Sequence, residues 1–428
     1  MNNVSGRPGQ LLGWLDYIEQ QHPKSIEMGL DRVREVSVRM KLEKPAKHVI
    51  TVGGTNGKGS TVAFIESIAR AAGLKVGSYT SPHLLRYNER VRIDGEEVSD
   101  TSLVAAFEAV EAARGETTLT YFEFGTLAAL WLFQQSALDL VVLEVGLGGR
   151  LDAVNVVDPD VAVITTVDID HTDWLGEDRE AIGQEKAGIA RPWKPLVLGE
   201  IDSPSSVLRH AYAIGANAIR LGSDFFHEPV DQDHWRWREV GVELELPNPA
   251  LAAPIQRANA ATAIAALRAL DIDIPTGAFA RGVATASVPG RLQRLDLQGV
   301  PVIVDVAHNP QAARELAQWL QAEPVTGATH AVFAALSDKD VEGVVAALQQ
   351  DVAHWHLAGL QDVGARGQDV DALAARLAAS AAASGSRHTS VAAALQAVRS
   401  AAEPGDRILV LGSFHTAAEA IRFLRSGG

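Results

Sequence analysis

An α/β fold in two domains, the first built on a mostly parallel, doubly wound sheet, follows from three observations on the sequence. A strand pattern, Val49–Val52, runs into the glycine-rich turn Gly53-Gly54-Thr55-Asn56-Gly57-Lys58-Gly59-Ser60-Thr61 and straight on into a helical pattern. Continuous apolar runs at 138–145 and 161–167 alternate with helical segments, as strands covered on both faces do. After a break in this alternation around Val288-Pro289-Gly290-Arg291, it restarts with Pro301–Val306. These features predict an N-terminal nucleotide-binding domain over 1–294 and a smaller, Rossmann-like α/β domain over 295–428.

Taken in order, Trp14–Ile18 begins a short amphipathic helix and 29–42 carries a second helical pattern. The helix after the glycine-rich turn keeps Val62, Ile65, Ile68, Ala69 and Ala72 on one face and stops at Gly73. A second strand over Lys75–Thr80 ends in Ser81-Pro82-His83, and 86–94 carries three arginines towards a turn at Gly95. A helix capped by Asp100-Thr101-Ser102 and an apolar one over Phe122–Gln135 precede the strand that ends at Glu144. The next strand runs into Asp168-Ile169-Asp170-His171-Thr172, followed by a helix over 179–189 and a strand over 195–199. His234-Trp235-Arg236-Trp237 reads as an exposed alternating strand, and Ala258–Leu270 as a helix. In sheets of this kind, ligands sit beyond the carboxyl ends of the strands, where the glycine-rich turn, Ser81, Glu144 and His171 all fall.

Composition narrows the function. With no cysteine, the 428 residues exclude disulfides, thiolate catalysis and cysteine-bound zinc. A formal charge of −15 argues against a broad nucleic-acid surface, and no stretch has the unbroken apolar length that crosses a bilayer. The start of the chain lacks the layout of a signal peptide, so a cytoplasmic protein is expected.

The turn at 53–61 is built to hold phosphate. Its glycines let the backbone approach, its amides and the helix N-terminus point at negative charge, and Lys58 adds a cation. It departs from the general phosphate-loop pattern, with Val52 where a glycine is usual and Gly59 where a hydroxyl should follow the lysine. Glu144 ending an apolar strand suits a magnesium-linked acid. Each taken singly also has a plainer reading, the loop as an ordinary turn, Glu144 as a helix-capping or salt-bridged glutamate and His171 as a structural histidine. The run Gly146-Leu147-Gly148-Gly149 is not a dinucleotide fingerprint, because Leu151 occupies the place of the third glycine. Asp305-Val306-Ala307-His308-Asn309-Pro310, at the end of the first strand of the second domain, gathers a carboxylate, an imidazole and an amide on one turn. Trp235, Trp237, His354 and His356 are assigned no role.

Together, Gly54–Ser60, Ser81-Pro82-His83, Glu144–Asp152, Asp170-His171-Thr172 and 305–310 resemble the folylpolyglutamate synthase branch of the Mur ligase superfamily. The likeness is greatest to its bacterial members that also make dihydrofolate. It spans about Trp14 to Thr416 and accounts for Gly59, since the family carries that extra glycine. The resemblance implies an ATP-dependent ligase that adds L-glutamate to 7,8-dihydropteroate and to the glutamyl tail of tetrahydrofolate through an acyl phosphate. A monomer is expected, because the chain's own second domain completes its active site. By motif, Asn56, Gly57, Lys58, Gly59 and Ser60 hold the phosphates, Ser81, Glu144 and His171 are the magnesium ligands, and Asn259, Arg291 and Asp305 contact the nucleotide, with His308 close by. Lys186 matches a lysine that relatives carbamylate, which would support a second magnesium. The pterin acceptor is expected on Ile26-Glu27-Met28, Thr120-Tyr121-Phe122-Glu123 and Leu151-Asp152-Ala153. Three other readings are a folylpolyglutamate synthase without the first activity, a muramyl-peptide ligase, which would want a further N-terminal domain, and a nucleotide-dependent switch.

Overall fold

A computed structural model describes residues 9–22, 24, 26–361 and 363–427. It divides into two compact units, one taking residues up to Ala250 with Gln256–Ser287, the other Leu251–Ile255 with Val288–Gly428.

The first unit holds an eight-stranded sheet in the order β4-β3-β2-β5-β1-β6-β7-β8. In chain order these are β1 (Ala46–Gly53), β2 (Val76–Tyr79), β3 (Val91–Ile93), β4 (Glu96–Glu97), β5 (Leu138–Glu144), β6 (Val161–Ile164), β7 (Pro195–Leu198) and β8 (Asn217–Arg220). The six strands from β2 to β8 in that order pair in parallel, and β3 and β4 extend the edge antiparallel. The Val-, Ile- and Leu-rich strands β1, β5, β6 and β7 are largely buried, as strands covered by helices on both faces are. β1 is central, with β5 on one side and β6 on the other, so the chain reverses its direction of winding here and opens a crevice at its carboxyl end. Register places the site residues level: Val52 pairs with Glu144, Gly53 with Ile164, and Tyr79 with Leu143.

A separate antiparallel sheet, β9 (Phe225–Pro229), β10 (His234–Glu239) and β11 (Val242–Pro247), has β10 in the middle. Here the expectation of an exposed strand fails. Trp235 and Trp237 are fully buried, and their indole N–H groups donate to the carbonyls of Pro247 and Ala261. The polar residues between them face outward, so only one face of the strand is exposed.

The second unit carries a six-stranded sheet, β12-β13-β17-β14-β15-β16. Its strands are β12 (Gln293–Leu297), β13 (Val300–Val304), β14 (Thr329–Phe333), β15 (His354–Ala358), β16 (Ser386–His388) and β17 (Arg407–Leu411), all parallel except β12. The border expected at 294/295 falls inside β12, where Leu295 pairs with Val302; apart from Leu251–Ile255, the second unit runs from Val288. Across the amino ends of β14–β17 runs a row of imidazoles. His330 Nε2 lies 3.1 Å from the Asp406 carboxylate and its Nδ1 3.3 Å from His356 Nε2, while His356 Nδ1 and His388 Nε2 each lie 2.8 Å from Ser386 Oγ. With every ring neutral, all these bonds form in one direction, each N–H or O–H finding a lone pair.

Candidate functional site

The glycine-rich loop is shaped by its neighbours across the crevice. Gly54 (φ 142°) and Gly57 (φ 85°) take backbone conformations open to glycine, and a Cβ on them would stand 1.9 Å from Thr165 Oγ1 and 2.6 Å from Asn259 Oδ1. The residues beyond β6 tie the loop down. Thr55 N donates to Thr166 O (2.7 Å), Thr165 Oγ1 to Asn56 O (2.6 Å), and Asp168 N to Thr55 Oγ1 (3.0 Å). Lys58 opens the helix Lys58–Ala71, and its ammonium folds back to donate to Gly54 O and Thr55 O at 3.0 and 3.1 Å.

Glu144 faces the first turn of that helix: a Cβ on Gly59 would lie 3.8 and 3.9 Å from its two carboxylate oxygens. One of those oxygens accepts from Ser81 N at 3.0 Å, so the ends of β2 and β5 are fastened together. On the same helix, Thr61 Oγ1 is buried without a hydrogen-bond partner. Among the described residues no three His, Cys, Asp or Glu side chains are grouped to hold a metal. That composition still suits magnesium, which takes one or two carboxylates and fills its shell with water and phosphate oxygens. His171 reaches this edge in a left-handed conformation (φ 53°), at the start of the short helix Thr172–Leu175.

Lys186 lies under the loop, almost wholly buried. Burial and the nearby Lys58 ammonium bring its amine down to about 7, against the pull of Asp170, Glu200 and Asp152. Burial raises the carboxyls of Asp152 and Glu200, each to about 7. Asp152 also accepts from the amides of Gly146, Leu147 and Val154 and so fixes the loop after β5.

The three segments expected to hold an acceptor come together. Arg32 bridges Glu27 (3.2 Å) and Glu123 (2.9 Å), Gly29 N donates to Leu151 O (3.3 Å), and Phe122 packs on Gly146. Within them the roles differ. Thr120 and Glu123 cap the helix Tyr121–Gln134 reciprocally and are buried, as are Asp152 and Ala153, whereas Ile26, Glu27, Met28, Tyr121, Phe122 and Leu151 keep exposed surface. Asn259 is buried at the loop, its amide donating to Gln256 Oε1.

In the second unit, both carboxylate oxygens of Asp305 accept backbone N–H groups at 2.8 Å, from Leu292 and Ala307, and burial raises its pKa against the pull of Arg291. His308 Nδ1 lies 3.0 Å from Val306 O, and Arg291 stands over the ring of Phe414 at 5.9 Å. Residues 290–292, 305–308 and 414 thus form one cluster.

These features meet in known proteins. Residues 52–227 match the Mur ligase middle domain, and 290–414 match the Mur ligase, glutamate ligase domain. The dihydrofolate synthase/folylpolyglutamate synthase of Escherichia coli (strain K12) is 48% identical over 422 residues, covering 98% of this chain and 97% of that protein. The chain belongs to this family. The corresponding Haemophilus influenzae protein is 43% identical over 443 residues, covering 98% of this chain and 99% of its own. Among solved structures, E. coli FolC in complex with DHPP and ADP superposes with a TM-score of 0.93 at 46% identity, covering 99% of both chains. A Yersinia pestis bifunctional folylpolyglutamate synthase/dihydrofolate synthase complexed with AMPPNP and Mn ion gives 0.91 at 45% identity, covering 99% of this chain and 100% of that one.

As a member of the dihydrofolate synthase/folylpolyglutamate synthase family, the chain is an ATP-dependent ligase of the Mur type. Three residues of the candidate site went unread in the sequence. Thr165 and Thr166, which tie down the loop, leave only the signal of two hydroxyls at a strand end. Glu200, just past β7, accepts from Val167 N and pairs with Arg179, which in turn donates to Val167 O; its position beyond a buried strand was the available clue.

Proposed function

We propose that this ligase joins L-glutamate to 7,8-dihydropteroate, forming dihydrofolate, and to the glutamyl tail of tetrahydrofolate. The observation that carries the proposal is the meeting, at one sheet edge, of the phosphate loop, Glu144 with Ser81, buried Lys186 and the three segments 26–28, 120–123 and 151–153. The relatives' names and bound molecules support it.

A carboxylate resists attack by an amine, so one of its oxygens first bonds to the γ-phosphorus of ATP as the bond to ADP breaks. The glutamate nitrogen then attacks the acyl carbon, phosphate leaves with the former carboxylate oxygen, and the nitrogen loses its protons to solvent. Catalysis of this kind is mainly positioning and charge neutralisation. Residues 56–60 present amides and the helix terminus to the phosphates, and Lys58 offsets the charge that moves to the leaving ADP. Ser81, Glu144 and His171 are the proposed holders of magnesium, which when bound neutralises phosphate oxygens. Lys186, brought down to about 7, has the unprotonated amine that carbamylation requires, and as a carbamate it would hold a second magnesium. Asn259, Arg291, Asp305 and His308 are proposed nucleotide contacts, Asp305 acting through the turn it fixes.

A cytoplasmic monomer belongs to the same proposal; among the described residues no helix is long and apolar enough to cross a membrane. The test is incubation with ATP, L-glutamate and dihydropteroate, separating the products by chromatography. Dihydrofolate, ADP and phosphate in equal amounts are expected. No product from dihydropteroate, with product from tetrahydrofolate, would remove the first activity, and no product from either would refute the proposal.

A further inference from the structure

Of the three arginines at 86–94, two are accounted for by ion pairs. Arg86 pairs with Asp100 at 3.1 Å, and Arg92 with Glu66 at 3.5 Å. Arg90 is different. Only 8% of it is exposed, and among the described residues no carboxylate lies within 4.0 Å of its guanidinium. Its Nε donates to His83 Nδ1 at 2.9 Å, and its Cζ stands 5.2 Å above the ring of Tyr87 and 5.5 Å from that of Tyr121. The phenols do not supply the missing anion. Burial raises Tyr87 well above its usual range and Tyr121 to about 12, so both stay neutral.

A buried cation is retained where a counter-charge repays its lost hydration, and aromatic faces return only part of that cost. The missing charge is therefore one that a ligand brings. Position says which ligand. Arg90 O accepts from Thr80 N at 2.9 Å, so the residue sits at the carboxyl end of β2, beside the Ser81-Pro82-His83 turn whose Ser81 amide binds Glu144. On its other side Tyr121 leads into Phe122, which lies against Gly146. The guanidinium thus stands between the phosphate-side turn and the aromatic segment proposed to carry the pterin. Gly125 keeps the cage open to it: a Cβ there would lie 2.3 Å from Tyr87 Oη and 3.2 Å from Tyr79 Oη.

We infer that Arg90 docks the carboxylate of the acceptor, holding it by its planar fork for transfer of the γ-phosphoryl group. The inference rests on the acceptor reading given above. A bidentate guanidinium–carboxylate pair orients as well as binds, so a lysine, with charge but no fork, restores only part of the effect.

The test is a thermodynamic cycle on binding, which cancels a general loss of fit. Dihydropteroate and its analogue with a neutral carboxamide in place of the carboxylate are titrated into the wild type, R90K and R90M by calorimetry. Charged hydrogen bonds of this kind predict a preference for the carboxylate of roughly tenfold to a hundredfold in the wild type. The preference falls to about twofold in R90M and is intermediate in R90K, and the KM for dihydropteroate rises while those for ATP and glutamate hold within about twofold. An undiminished preference in R90M, or a KM that rises for glutamate instead, overturns the inference. If the wild type forms no product from either acceptor, it is the underlying acceptor reading that fails.

Discussion

Each unit gathers ionisable side chains at one end of a parallel sheet, and the two gatherings differ in kind. At the carboxyl end of the first sheet lie Lys58, Lys186, Asp152 and Glu200, and the last three are displaced towards 7 chiefly by burial, with the Lys58 ammonium adding to the shift of Lys186. At the amino end of the second sheet, His330, His356 and His388 close a hydrogen-bonded row with Ser386 and Asp406 that needs no charge on any ring. The first group holds charge that binding can use. The second has satisfied itself, and the difference separates a site from a structural network more clearly than residue types do.

The sharpest break in this comparison comes at Lys58. K58M keeps the stem and removes the charge, and should lower kcat by roughly a hundredfold to a thousandfold, the usual size for one preorganised charge-stabilising group. The melting temperature of K58M tells whether the fold is intact. At Lys186 the effects on activity and stability should have opposite signs. Its amine is displaced from 10.5 to about 7, so between those values the unfolded chain binds more protons and stability rises with pH. Below about 7 the full penalty is present. K186M should therefore lose most activity, on the order of a hundredfold, yet melt a few degrees higher at neutral pH, with a flatter dependence from pH 7 to 10. A lower melting temperature would show that Lys186 is held by attraction, as an ordinary ion pair is.

A smaller effect is expected at Gly57, where alanine meets both the left-handed φ and Asn259. G57A should raise the KM for ATP by about tenfold, consistent with ~1–2 kcal/mol of strain in the bound loop. The smallest effect on catalysis belongs to the histidine row. Burial and the neighbouring His330, His388 and His354 hold His356 down at about 4. As pH falls from 6.5 to about 4 the unfolded chain takes up a proton the folded one refuses, and stability is lost across that window. Asp406, whose pKa is lowered mainly by backbone hydrogen bonds from Glu403 and Ala328, stays ionised through most of that window. H356N should flatten that slope in thermal melts while leaving activity at pH 7.5 within about twofold.

The carboxyl edge of the first sheet was legible because its strands announce their ends: an apolar run stops at Glu144, and another at Asp168-Ile169-Asp170-His171. The two tryptophans of β10 were not, since alternation with His234 and Arg236 looks the same whether the apolar face meets solvent or the helix Gln256–Arg268. The unit border was displaced because β12 pairs with β13 and so belongs to the second sheet, and Leu251–Ile255 also joins the second unit ahead of Gln256–Ser287, which a single cut in the sequence cannot express. Arg90 stayed hidden for another reason. Its peculiarity is a carboxylate partner it lacks among the described residues, and a sequence shows only residues that are there.

The route through an acyl phosphate can be read directly in the fate of one oxygen. Dihydropteroate carrying heavy oxygen in its carboxylate, turned over with ATP and L-glutamate, should yield phosphate with one labelled oxygen per dihydrofolate formed, as measured by mass spectrometry. Unlabelled phosphate alongside dihydrofolate would contradict the account, because the γ-phosphoryl group would then never have been bonded to the acceptor.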